Sequence, residues 1–193
     1  MIHRDNLAVV RKVCSLVAGI TKETCAGVLE AVNGKGDILV RRRTTHDRTI
    51  FFIDAFSAND IESTQLLQRR WLKEELCPRP FIALMNHRAD RPLRMLSFAT
   101  FIAGASAYDY IFLVGDGQWL AKKHIQRRGR TDNVFRLTGQ EPERWMEEIC
   151  GRVSGKAFTI LGMGNYKGPG EKLIRFFLPE EISENASSPA GRG

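Results

Sequence analysis

Two five-residue runs, Phe81-Ile82-Ala83-Leu84-Met85 and Tyr110-Ile111-Phe112-Leu113-Val114, lack the alternating polar residues of a strand with one face in water. A continuously apolar strand needs cover on both faces, which is the situation of a strand inside a parallel sheet. Helix-like stretches follow both runs, at 92–105 and 117–128. Four more β-type runs occur: Ile38–Val40, Thr49–Ile53, Val134–Leu137 and Phe158–Leu161. Further helix-like stretches lie at 60–75, 141–153 and about 170–177. Strands alternating with helices predict an α/β domain whose mostly parallel sheet carries helices on both faces.

Ahead of this pattern the character differs. Residues 6–18 place Leu7, Val10, Val13, Leu16 and Val17 at helical spacing, and Gly19 is a plausible stop. Thr21 is positioned as the N-cap of a second helix that reaches about Val32. Asn33-Gly34-Lys35-Gly36-Asp37 is a flexible break and the best boundary in the chain. Two helices cannot bury a core alone, so 1–36 reads as the end of a domain that begins elsewhere. Residues 37–182 read as the α/β domain. The stretch from Ser183, SENASSPAGRG, is small and polar and reads as a disordered tail.

Composition narrows the partners. The 193 residues are 43% hydrophobic and carry a formal charge of +7. That balance suits a soluble basic surface or an acidic partner: nucleotide phosphates, a polyanion, nucleic acid or an anionic membrane. No nucleic-acid motif accompanies the charge, and the aromatic residues fall mostly in apolar runs, so nucleic acid is not expected. Cys14, Cys25, Cys77 and Cys150 form no CxxC pair and are expected as reduced thiols in a cytoplasmic protein. No apolar run approaches the roughly 20 residues of a membrane span. The basic run Lys122-Lys123-His124-Ile125-Gln126-Arg127-Arg128-Gly129-Arg130 reads as a solvated helix end, with anion binding as the less favoured alternative.

Ligands of open parallel sheets bind outside the carboxyl ends of the strands. Three strand ends here are chemically unusual. The first carries Asp54, then Asn59 and Asp60 at the start of the next helix. The second is Asn86-His87-Arg88-Ala89-Asp90-Arg91. The third is Gly162-Met163-Gly164-Asn165-Tyr166-Lys167-Gly168. Arginine, lysine, amide side chains and loop N–H groups together suit an anionic ligand. Each also has a purely structural explanation. Asn59 and Asp60 suit a helix N-cap, and Arg88 with Asp90 suits an ion pair. His87 reads as loop structure in preference to an acid–base group. No GxxxxGK[ST] segment exists in the chain.

Phe56, Ala58, Asn59, Asp60, Ser63 and Thr64, then Asn86, Arg88, Ala89, Asp90, Arg91 and Arg94, then Gly162, Gly164, Asn165 and Gly168 form an ordered set of motifs. This set resembles the C-terminal half of the poly-γ-glutamate synthase ligase subunit (PgsB/CapB type), a family related to the Mur ligases. The resemblance covers about residues 1–178. It implies a Rossmann-like C-terminal ligase domain, preceded by two helices from a truncated central ATPase domain. It implies an ADP-forming amide ligase using ATP and Mg²⁺. The end of a poly-γ-glutamate chain is activated as an acyl phosphate, and an incoming glutamate attacks it.

The resemblance, together with the strand ends that supply Asp54 and Lys167, implies substrate- or nucleotide-binding roles for Asp54, Asn59, Asp60, Asn86, Arg88, Asp90, Arg91, Gly164, Asn165 and Lys167. It adds Asn6 as a contact to the adenine. It places the phosphate loop and the metal ligands in an amino-terminal half that this chain lacks, so the chain by itself is expected not to ligate. A hinge arginine directly after a glycine is absent, since Asp37 follows Gly36 and Arg41 is the nearest arginine beyond it. The implied partners are that amino-terminal ATPase half and the membrane subunits of a polymer synthase, which would hold the chain at the inner membrane face. The alternative is a non-catalytic nucleotide- or polyanion-binding module.

Overall fold

The structure, a computed structural model, describes residues 21, 40–58, 60–73 and 77–178. The helices expected within 6–32, the boundary at 33–37, the tail from Ser183, and the candidates Asn6 and Asn59 lie outside the described residues.

Six strands form one sheet: β1 (Val40–Thr45), β2 (Arg48–Asp54), β3 (Phe81–His87), β4 (Tyr110–Gly115), β5 (Val134–Arg136) and β6 (Ala157–Gly164). Their order is β1-β2-β6-β3-β4-β5, and only β1 runs antiparallel to its neighbour. The helices are α1 (Ile61–Lys73), α2 (Pro92–Gly104), α3 (Gln118–Arg127), α4 (Pro142–Arg152) and α5 (Pro169–Phe176). The expected α/β class, the mostly parallel sheet and these five helices are all observed.

The first strand continues past its expected run: Ile38 and Leu39 of the run Ile38–Val40 lie outside the described residues, and the strand described is Val40–Thr45, with Val40 its only apolar member. An edge strand needs no apolar run, because half of it faces solvent. Its position comes from the turn instead. His46 and Asp47 both take positive φ, 50° and 56°, the geometry of a two-residue hairpin whose twist matches that of the strands. Thr45 then pairs with Arg48 and Val40 with Ile53. The arginines of β1 act on a distant element. Arg41 donates to the Ile174 carbonyl at 3.0 Å, Arg43 donates to the Phe176 carbonyl, and the Arg43 guanidinium lies 4.0 Å from the Phe176 ring centre. Cations therefore meet the carbonyl end of α5, where the helix dipole favours them.

Period-two alternation divides the strands between two cores. Ala83 and Met85 of β3, Ile111 and Leu113 of β4, and Leu161 and Met163 of β6 meet α1, α2 and α3 on one face. Ile82 and Leu84, Phe112 and Val114, and Phe158 and Ile160 meet α4 and α5 on the other. The apolar runs are continuous because both sets are buried. β3 leads into α2 on the first face, while its neighbour β6 leads into α5 on the second. The chain thus leaves these adjacent strands in opposite directions, which opens a crevice at their carboxyl ends.

The turn after β2 is anchored by an aromatic ring. Asp54 ends the strand and accepts the Phe56 N–H at 3.1 Å, which turns the chain so that Phe56 is buried among residues of the second core. Gly162 makes room for it. A Cβ at Gly162 would stand 2.7 and 2.8 Å from two carbons of the Phe56 ring and 3.0 Å from Phe52. Both rings are buried and cannot swing out to solvent. Gly162→Ala is expected to lower the unfolding free energy by about 1–3 kcal/mol, read by urea titration; a neutral result would show that the Phe56 turn shifts freely.

Candidate functional site

The crevice between the ends of β3 and β6 is closed at its base by Asn86. Its side chain is 1% exposed, and its Nδ2 donates to the Asn165 carbonyl at 2.5 Å and the Lys167 carbonyl at 3.0 Å. In return the Asn165 N–H donates to the Asn86 carbonyl at 3.0 Å. This contact requires Gly164, which takes φ +94°; a Cβ there would stand 2.4 Å from the Asn86 carbonyl oxygen. Asn86, Gly164 and Asn165 are therefore brought together as the frame of the glycine-rich loop.

The loop after β3 is tied to the loop after β4. Asp116 donates its N–H to the His87 carbonyl at 3.1 Å, and its carboxylate accepts the Ala89 N–H at 3.1 Å. Arg88 and Asp90 form a two-pronged ion pair, with contacts of 2.9 and 2.7 Å. Above this frame lies a cleft of about 500 Å³. Arg88, Lys167 and Lys172 supply its cations, and Asp116, Gln118 and Gln140 its other polar groups. Lys172 is held by Glu141 at 2.7 Å and the Gln140 carbonyl at 2.9 Å. Lys167 has no such partner among the described residues, so its ammonium is available to an anion. Gly168 and Pro169 also line the cleft, at the amino-terminal end of α5 where the dipole favours negative charge.

Three buried polar atoms at the end of β3 and the start of α2, Asn86 Oδ1, His87 Nε2 and Arg94 Nε, have no partner among the described residues, and of these three residues only His87 lines the cleft. Arg94 also donates from Nη2 to the Gly164 carbonyl at 2.9 Å. Burial lowers its pKa and the Arg91 charge lowers it further, against the opposing pull of Asp60.

The remaining candidates do not line the cleft. Asp60 caps α1, accepting the Ser63 N–H at 2.7 Å and the Ser63 hydroxyl at 2.9 Å. Asp54 holds the Phe56 turn; burial raises its pKa, offset in part by the Phe56 N–H and the Arg41 charge. Arg91 is exposed at the start of α2, and Asp90 is occupied by Arg88. Sequence reasoning singles out Arg88 and Lys167 but misses Asp116, Gln118, Gln140 and Lys172. These come from separate loops and from inside a helix, and nothing in their local sequence sets them apart.

Two measurements test this frame. Asn86→Asp would turn an oxygen toward two carbonyl oxygens in a buried place. It is expected to cost about 3 kcal/mol in urea unfolding and to speed amide exchange in the 164–168 loop; unchanged stability would remove the lock. His87 is 2% exposed, and burial lowers its pKa from 6.5 to about 4. The unfolded chain therefore takes up this proton first as pH falls. The stability is intact above about pH 6.5 and is lost down to about pH 4, a change of about 3 kcal/mol. His87→Gln should flatten that part of the stability–pH curve; a variant curve parallel to the native one would contradict it.

Comparison with known proteins identifies the family. A family model described as the poly-gamma-glutamate synthase CapB C-terminal domain matches residues 40–180, which include the strands and helices of the described residues. The capsule biosynthesis protein CapB of Bacillus anthracis is 26% identical over 189 residues, covering 95% of this chain and 39% of that protein. The PGA synthase CapB of Bacillus subtilis strain 168 is 28% identical over 177 residues, covering 90% and 44%. The chain thus spans less than half the length of these curated relatives. With the motif resemblance and the family match falling on the same strands and loops, the chain belongs to the poly-gamma-glutamate synthase CapB C-terminal domain family.

Proposed function

We propose that this chain is the C-terminal part of an ATP-dependent amide ligase that joins glutamate into poly-γ-glutamate through an acyl phosphate. One observation carries the reading beyond family membership. The cleft at the diverging ends of β3 and β6 gathers Arg88, Lys167 and Lys172 around the amino-terminal end of α5. Phosphates, the acyl phosphate and the glutamate carboxylates are all anions, and such a cleft suits them.

Within this reading the residues have separate tasks. Lys167 is the mobile point charge that meets the anion. Arg88 is a planar donor held in orientation by Asp90. Asn86, Gly164 and Asn165 keep the loop carrying Lys167 close to the end of β3. His87 stays neutral at physiological pH and so adds no charge. ATP supplies the phosphoryl group that activates the carboxyl. Among the described residues no three His, Cys, Asp or Glu side chains gather where they could hold a metal ion. The reading assigns the donors for Mg²⁺ and the phosphate loop to the amino-terminal ATPase portion. Closure of the two portions around the cleft would keep water from the acyl phosphate.

Among the described residues no helix is long and apolar enough to cross a membrane. The reading places the chain on the cytoplasmic side, where ATP is available, with membrane subunits of the synthase as partners.

The test is ADP release with ATP, Mg²⁺ and glutamate, by the chain alone and after adding the amino-terminal portion of a CapB relative. Activity is expected only in the mixture, and Lys167→Gln should reduce it by about tenfold or more. Activity in the chain alone would refute the division of labour. Silence in the mixture, with nucleotide or polyanion still bound by the chain alone, would favour a non-catalytic binding module.

A further inference from the structure

A second groove, of about 680 Å³, lies beside the cleft at the ends of β4 and β5. Gly115 and Gln118 line both, so the two are contiguous. We propose that this groove is a track for an extended polycarboxylate, the acidic polymer chain as it leaves the ligand cleft. Its identity as poly-γ-glutamate rests on the ligase reading; its preference for a repeated carboxylate rests on the groove.

The charge is one-sided. Lys122 of α3, Arg136 of β5 and Arg152 of α4 line the groove, and among the described residues no Asp or Glu does. None of the three has a carboxylate partner among the described residues. The first turn of α3 adds to this: it has no acidic residue, and its N-cap, Gly117, makes no side-chain cap. Three cations converge from three separate elements, without the neutralising partners that Arg88, Arg144 and Lys172 have.

The arrangement selects for a polymer over a monomer. A single exposed cation–carboxylate pair contributes only about 0–1 kcal/mol, too little to hold free glutamate. A chain with a carboxylate on every residue meets the three cations together, and each contact after the first is made at high effective concentration.

The aromatic residues distinguish a polycarboxylate from a nucleic acid. Trp119 is 59% exposed, and Lys123 Nζ sits 4.7 Å from its ring centre. The Arg152 guanidinium likewise lies 4.7 Å from the centre of the Phe135 ring. Both rings in the groove already have a cation over them. They hold charge in place for an acidic chain and leave less open ring surface for stacked bases.

The experiment is fluorescence anisotropy of a labelled γ-linked glutamate decamer with the full chain, at low and at high salt. Free glutamate serves as competitor, and a single-stranded DNA decamer as comparator. The native chain is expected to bind the glutamate decamer more tightly than the DNA, with affinity falling as salt rises. The combined Lys122→Gln, Arg136→Gln and Arg152→Gln variant should bind about tenfold more weakly or worse. The combined Arg136→Lys and Arg152→Lys variant keeps the charge and should stay within about threefold of the native value.

An affinity unchanged in the triple variant overturns the track. So does DNA bound more tightly than the decamer and lost in the same variant, which would make the groove a nucleic-acid site. Polymer binding lost in the triple variant, with the reconstituted mixture releasing no ADP, would keep the track and refute the ligase reading. ADP release with unchanged polymer affinity would do the reverse.

Discussion

The side-chain amide of Asn86 holds the carboxyl end of β3 to the loop after β6, and the candidate site depends on that contact. Two carbonyls of the loop accept from Nδ2, and the loop's Asn165 N–H returns a bond to the Asn86 backbone. A buried amide here is strongly specified, because an apolar residue would leave the buried Asn165 carbonyl and the half-buried Lys167 carbonyl without this donor. The same contact forbids a side chain at Gly164 and sets where Lys167 emerges. This buried amide thus links the core of the sheet to the chemistry at its edge.

The charge pattern follows from the topology. β3 and β6 are neighbours, yet their helices lie on opposite faces, so their ends are left uncovered where the chain departs. The loops at that edge carry Arg88 and Lys167, the first turns of α5 carry Lys172, and the adjoining groove carries Lys122, Arg136 and Arg152. The basic run at 122–130 divides accordingly. Lys122 faces the groove, while Arg130 caps the end of α2 by donating to the Ala105 carbonyl at 2.6 Å and to the Tyr108 carbonyl. Neither a solvated helix end nor an anion site describes the whole run. Neighbours in sequence serve different purposes because a helix and its following loop turn them in different directions.

Much of the fold is legible in the chain itself. The apolar runs of β3 and β4 announce burial on both faces, and the helical spacings locate α1 to α5 closely. β1 continues past its apolar run through Arg41–Thr45 because an edge strand has little apolar signature, and its register comes from the two left-handed residues of its turn. The site is legible in part. Motif residues at three strand ends stand out, but their division of labour does not: Asp60 caps a helix, Asp54 holds a turn, and Asn86 locks two loops.

Local sequence was enough for the class of fold, the order of elements, the family motifs and the basic balance, because periodicity and short motifs are properties of neighbours along the chain. The strand order, the crevice between β3 and β6, the free charge on Lys167 and the second cationic groove belong to the tertiary structure alone. Each depends on residues far apart in sequence, such as Asn86 with Lys167 or Lys122 with Arg152, and the geometry between such residues exists only after the sheet has assembled.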